Sequence, residues 1–258
     1  MSIIPLLSVI LSLLLHCLGE HIQLYGDVYV ALLVPISEFN HTAGHCSPKI
    51  KLDGLLTAEM FLYTIREVNE RSRNDVKLGA IVVDTCQSEK YATLQALSLI
   101  MHSRYNDIAS VDLPFFVKYM KDSAISEKMR LAGFVGPRSS GSAVRVANLL
   151  DPFKVFQISY GATSPSLSKK QLFPYFYRTV PSDYYQARCL VQLMKNRGWT
   201  YVIGLYEDSD YGREGFTELT KLAEQNEICF AKKVRLSSHQ PKLYDSLVLS
   251  LSQTKDAS

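Results

Sequence analysis

Short hydroxyls, one carboxylate and one phenol recur at even intervals between Gly136 and Phe216, each cluster placed just after an apolar run. First comes the turn Gly136-Pro137-Arg138-Ser139-Ser140. Tyr160-Gly161-Ala162-Thr163 follows, then Arg178-Thr179-Val180-Pro181-Ser182-Asp183, then Asp210-Tyr211-Gly212. In a parallel α/β sheet such positions gather at the carboxyl edge of the strands, where ligands bind. Ser139 and Ser140 at a strand-to-helix turn, with Thr163 after the next strand, offer hydroxyls and backbone N–H groups to an anion. Asp183 offers a carboxylate to an ammonium, and the face of the Tyr211 phenol suits the same cation. The run contains no base–nucleophile pair. This set suits holding a small zwitterion more than transforming one.

Each of these residues also has a plainer local reading. Ser139 and Asp183 are good helix N-caps, and from local sequence alone capping is the stronger reading of both. Thr163 suits a turn and Tyr211 an exposed surface. Catalytic readings lack their motifs: there is no Gly-x-Ser-x-Gly, no phosphate-binding loop and no His-Glu-x-x-His. The six histidines are scattered, at 16, 21, 41, 45, 102 and 239. Asp208 and Asp210 lack the spacing of a calcium loop. No Cys-x-x-Cys or His-x-x-x-His spacing points to zinc. The sequence therefore predicts no catalytic residues, no metal site and no cofactor.

The elements that must position these clusters read as alternating strands and helices. Strands are predicted at Val28–Ile36, Leu78–Val83, Leu131–Val135 and Val155–Tyr160. Helices are predicted over Gly54–Arg71, with Leu55, Met60 or Ala58, Leu62, Ile65 and Val68 on one face, and over Tyr91–Met101, with Leu94, Leu97 and Ile100 inward and Ser88 as N-cap. A third helix runs from Ser139 to Leu150, and residues 103–129 read as a long loop. After a strand-like segment at Tyr175–Val180 come a helix capped by Ser182 or Asp183 and running to Asn196 with Gly198 beyond it, a strand at Tyr201–Tyr206 and a helix at Gly212–Gln225. A strand at Ile228–Val234 and a helix from Leu243 to Leu251 follow. This order is that of an α/β protein with a doubly wound parallel sheet, with Tyr175–Pro181 as the crossover into a second lobe. The second lobe holds only two clear strand–helix units, so the chain reads as lacking the rest of it.

Met1-Ser2 followed by apolar Ile3–Leu15 and then Cys17 and Gly19 reads as a secretory signal peptide cut after Gly19, although no Lys or Arg precedes the apolar core. An N-terminal membrane anchor is the alternative. Secretion permits disulfides among Cys46, Cys86, Cys189 and Cys229. Cys46 precedes the first long helix and Cys86 follows the second strand, so the two can meet at one end of lobe 1. Cys189 and Cys229 read as buried thiols or as partners of residues outside the chain. The sequon Asn40-His41-Thr42 is a candidate glycan site at Asn40. A net charge of +3 without a basic block gives no reason to expect nucleic acid.

The segments Gly136-Pro137-x-Ser139-Ser140, Gln157–Ser164, Phe173–Ala187, and Gly198–Val202 with Asp210-Tyr211-Gly212 together resemble the extracellular amino-acid-binding module of class C G-protein-coupled receptors. That family includes the metabotropic glutamate, calcium-sensing, taste and olfactory amino-acid receptors. The resemblance implies a two-lobed clamshell of the periplasmic binding protein type I kind, its second lobe incomplete here. It divides the chain into a signal peptide at 1–19, lobe 1 at 20–180 and part of lobe 2 at 181–258. It assigns Ser140 and Thr163, beside Ser139, to the ligand α-carboxylate, and Asp183 and Tyr211 to the α-ammonium. Gly161 falls where glutamate receptors carry a Ser, leaving a backbone contact. Thr57 falls where they carry an Arg for a distal carboxylate, which argues against an acidic ligand. Cys46 and Cys86 match a lobe 1 disulfide.

The resemblance also implies a homodimer or heterodimer through lobe 1, non-covalent where residues 103–129 lack a Cys. Contact with a G protein would come only through a transmembrane domain missing from this chain. The expected location is the secretory pathway: the extracellular side of the plasma membrane for a full-length parent, secreted for the chain as written. Three readings thus stand. The first is a non-enzymatic receptor ectodomain fragment that binds an α-amino acid. The second is a secreted decoy that sequesters ligand or pairs with full receptors. The third is a doubly wound enzyme, for which Val34-Pro35-Ile36-Ser37-Glu38 lacks the required glycine-rich turn.

Overall fold

A computed structural model describes residues 22–40, 42, 45–73, 75–104, 129–236, 244 and 248. The signal segment, most of the 103–129 loop and most of the Leu243–Leu251 helix lie outside the described residues. The chain divides into two compact units. The first holds the described residues up to Ala162 together with Pro174–Thr179, and the second holds Thr163–Phe173 and the described residues from Val180 onward.

The first unit is built on a six-stranded sheet. Its strands are β1 (Ile22–Leu24), β2 (Val28–Val34), β5 (Leu78–Asp84), β6 (Leu131–Val135), β7 (Phe156–Ser159) and β8 (Phe176–Arg178), in the order β1-β5-β2-β6-β7-β8. All neighbours pair in parallel except β1, which runs antiparallel on β5 with Ile22 opposite Val82. A short hairpin of β3 (Phe39–Asn40) and β4 (His45–Cys46) stands apart from it. A parallel sheet must be covered on both faces, and strict alternation along its strands supplies the two apolar surfaces. Tyr29, Ala31, Leu33, Ile81, Val83 and Phe134 face one side; Leu32, Val34, Ala80 and Val82 face the other.

Helix α1 (Leu52–Arg71) covers the second face with Ala58, Leu62 and Ile65. Helices α2 (Glu89–Arg104) and α3 (Ser140–Leu150) cover the first. Sequence periodicity misplaces part of two of these faces. Met60 and Val68 are exposed, because the inward stripe of α1 runs through Gly54, Ala58, Leu62 and Ile65. A Cβ on Gly54 would lie 2.2 Å from the Pro35 carbonyl oxygen, so this close approach sets the phase of the helix. Leu94 is also exposed, since Ala92 and Ala96 make the close contact of α2. The Tyr175–Pro181 segment supplies β8, which pairs with β7. Cys46 and Cys86 are joined by a disulfide with their Cα atoms 5.6 Å apart.

The second unit pairs β9 (Tyr201–Glu207) in parallel with β10 (Cys229–Leu236). Helices α4 (Asp183–Arg197) and α5 (Asp210–Glu224) close a core of Val191, Met194, Ala223 and Ile228. Phe216 stacks on Tyr206 at 4.4 Å over Gly204, where a Cβ would come within 2.4 Å of the Phe216 ring. Gly198 ends α4 at a φ of 70°, a left-handed conformation that costs glycine little. Cys189 and Cys229 are free and exposed, against the expectation of buried thiols. The inward stripe of α4 is Asp183, Ala187, Val191 and Met194, and Cys189 lies off it.

Candidate functional site

In the first unit the turn from β6 into α3 is held by its neighbour. Gly136 adopts a φ of 91° and donates its N–H to the Ile158 carbonyl at 2.8 Å. The amide of buried Gln157 donates to the carbonyls of Gly136 (3.0 Å) and Ala143 (3.3 Å). The Ser159 hydroxyl, fully buried, donates to the Pro137 carbonyl at 2.7 Å and accepts the N–H groups of Ala162 (2.9 Å) and Gly161 (3.3 Å). One hydroxyl therefore locks the turn carrying Ser139 and Ser140 to the turn carrying Gly161. The donors of Gln157 and Ser159 are spent on these turns, which makes both rigid, while Gln157 Oε1 has no partner among the described residues.

Ser139 takes the capping role that local sequence favours: its hydroxyl accepts the Ser142 N–H at 3.3 Å and donates to the Ser142 hydroxyl at 2.8 Å. Ser140 opens α3 and is buried. At Gly161 a Cβ would lie 2.7 Å from Cγ of Arg138, whose guanidinium pairs with Asp53 at 3.0 Å in the first turn of α1. One turn on, the Thr57 hydroxyl donates to the Asp53 carbonyl at 2.7 Å. The Tyr160 hydroxyl is buried without a hydrogen-bond partner among the described residues. Burial pushes its pKa up to about 12; Arg138 pulls it down a little and Asp53 adds to the rise.

The second unit gathers Thr163 and Asp183. The Thr163 hydroxyl donates to Asp183 Oδ2 at 2.8 Å, and the Asp183 N–H donates to the Thr163 carbonyl at 2.9 Å. Asp183 does not cap its own helix; Ser182 does, accepting the Tyr184 N–H at 3.3 Å. The carboxylate is only 7% exposed, and its Oδ1 has no hydrogen-bond partner among the described residues. A buried carboxylate oxygen without a donor is costly. Tyr211 sits in the first turn of α5, 44% exposed. Nearby in sequence, Glu214 accepts the Ser164 hydroxyl, and Asp208 and Asp210 are both paired with Arg213. Arg235 in β10 adds a second cation to Asp208 at 3.4 Å, so the acidic pair is balanced within this unit.

Metal chemistry finds no support in the described residues that approach a ligand set. Cys46 and Cys86 are consumed by their disulfide. Asp84 beside them accepts the N–H groups of Ile36, Ser37 and Cys86 and the Ser37 hydroxyl. Sequence reasoning did not single out Asp53, Ser159 or Tyr160. Arg138 was visible only as the variable residue of the Gly-Pro-x-Ser-Ser turn.

The receptor family ligand binding region matches residues 57–257 of the chain. The chain is 29% identical over 248 residues to metabotropic glutamate receptor 8 of mouse, and equally to the human and rat proteins, covering 93% of this chain and 26% of each relative. It thus spans about a quarter of the length of the curated relatives it matches.

Proposed function

This chain belongs to the receptor family ligand binding region, homologous to the extracellular part of class C G-protein-coupled receptors, and from that premise we propose that it binds a free α-amino acid without transforming it. The observation that carries the reading is Asp183: a buried carboxylate with one oxygen taken by Thr163 and the other unpartnered among the described residues. An α-ammonium supplies the missing charge and donors, and the face of Tyr211 adds a cation–π contact. Ser140 at the start of α3 and the backbone groups at Gly161 and Thr163 take the α-carboxylate, while the Thr163 hydroxyl stays on Asp183. Ser139 contributes by fixing the helix start. Thr57 brings no cation to a distal carboxylate, so the preferred ligand is not acidic.

The Cys46–Cys86 disulfide supports an oxidising compartment, and we place the binding on the extracellular side, with a signal segment at 1–19 and a glycan at Asn40. Pairing with a second subunit through the first unit, and signalling to a G protein through a membrane domain, belong to the same reading. Among the described residues no helix is long and apolar enough to cross a membrane.

Calorimetric titration with the common α-amino acids tests the proposal. One or more should bind, whereas its N-acetyl and carboxamide derivatives should not. A Thr57→Arg variant should gain affinity for glutamate. Binding of the N-acetyl derivative at undiminished affinity would remove the ammonium from recognition and sink the assignment of Asp183.

A further inference from the structure

Arg138 runs between the two turns that Ser159 locks together. Its Cγ fills the space that any side chain at position 161 would need, 2.7 Å from the Cβ position of Gly161. Its guanidinium reaches Asp53 in the first turn of α1, Nη1 to Oδ2 at 3.0 Å. The two side chains are 61% and 63% exposed. Ion pairs this open have little net worth and are readily exchanged for a competing charge. Nothing in the core rests on this pair, which leaves its placement to be explained. It lies beside Gly161 and directly before Ser139, among the groups that would receive the amino-acid backbone. The Tyr160 hydroxyl lies in the field of both charges.

We propose that the Asp53–Arg138 pair selects the ligand side chain: Asp53 masks the charge of Arg138, so an amino acid with an uncharged polar side chain is preferred over an acidic or a basic one. This rests on the amino-acid reading above. A carboxamide satisfies both members at once, its oxygen accepting from the guanidinium and its NH2 donating to the carboxylate. A ligand carboxylate faces the charge of Asp53 and must displace it. A ligand ammonium meets the same conflict with Arg138.

The test is calorimetric titration of the protein with L-glutamine, L-glutamate and L-lysine, in the wild type, Asp53→Asn and Arg138→Gln. Both side chains are exposed, so both variants should fold, which thermal unfolding checks. The wild type should prefer glutamine. Asp53→Asn should raise the glutamate-to-glutamine affinity ratio by about fivefold or more, the worth of one freed charge at contact distance even at the dielectric of water. Arg138→Gln should raise the lysine-to-glutamine ratio similarly. Unchanged ratios, a uniform weakening toward all three, or a wild type preferring glutamate would overturn the role of the pair and leave the amino-acid reading standing. If the wild type binds none of the common α-amino acids, that reading itself fails, and this one with it.

Discussion

Replacing Asp183 by Asn should weaken amino-acid binding strongly while leaving the fold as stable as before or more so. The side chain is 7% exposed, with Oδ2 on the Thr163 hydroxyl at 2.8 Å and Oδ1 unpartnered among the described residues. Removing one partner of a buried charge pair costs about 2–5 kcal/mol of binding, which is roughly 30- to 4,000-fold in Kd. The effect on stability has two opposing parts. The charge in the first turn of α4 gains about 0.3–1 kcal/mol from the helix dipole, and that is lost. Against it, the variant replaces an unpaired charged oxygen by a neutral amide NH2, and leaving a neutral buried group unpaired costs about 1–3 kcal/mol, less than leaving a charged one so. The Asn carbonyl oxygen still accepts from Thr163, so the local hydrogen bond survives. Affinity read by calorimetry should fall while the unfolding midpoint without ligand holds or rises. A lowered midpoint with unchanged affinity would refute the reasoning, since it would make Asp183 a purely structural carboxylate.

Two further predictions concern the first unit. Reducing the Cys46–Cys86 bond, or replacing both residues by Ala, opens a loop of 40 residues and should cost about 3–4 kcal/mol, read as a lower denaturant midpoint; an unchanged midpoint would mean the loop is held by its other contacts. Tyr160→Phe removes a buried hydroxyl without a described partner, so at neutral pH it should be neutral or stabilise by about 1 kcal/mol. The phenol is raised in the fold to about 12, so its contribution is fully present below its ordinary value near 10 and is lost as pH rises through about 12. Wild type and Tyr160→Phe should therefore diverge in stability between about pH 10 and 12, the wild type falling faster, and parallel curves would contradict the burial of the hydroxyl.

Strand and helix order was legible because each buried strand is a continuous apolar run, such as Val28–Val34 and Leu78–Asp84, with a helix following it. The end signals also held: Ser88, Ser139 and Ser182 each accept an N–H from the helix they precede, and Gly198 turns left-handed at its close. Helix phase was less legible. Apolar periodicity gives a face but not which residues make the close approach, and here Gly54, Ala92 and Ala96 do so while Met60, Val68 and Leu94 point outward. The three-residue β1 was missed because so short a run carries no period and owes its place to pairing with β5. The Asp53–Arg138 pair was equally invisible, since its members lie 85 residues apart and neither has a local partner pattern.

Which candidate residues serve a ligand and which serve the fold follows from where their hydrogen bonds already go. The hydroxyls of Ser139 and Thr57 are donated within the protein, to Ser142 and to the Asp53 carbonyl, and Ser159 is committed three times over. These residues shape the surroundings and have no donor hydrogen left for a ligand. Thr163 likewise spends its hydrogen on Asp183, so toward a carboxylate it offers only backbone or a reoriented hydroxyl, whereas toward an ammonium its oxygen can accept. Asp183 and Tyr160 are different: each keeps a buried polar atom without a described partner. Folding tolerates few such atoms, and those that persist call for an explanation outside the fold's own bonding. By that measure the ammonium side of the proposed ligand is the better specified half, and a Thr163→Ala variant should act chiefly through Asp183. It should lower affinity for the amino acid without restoring any binding of its N-acetyl derivative.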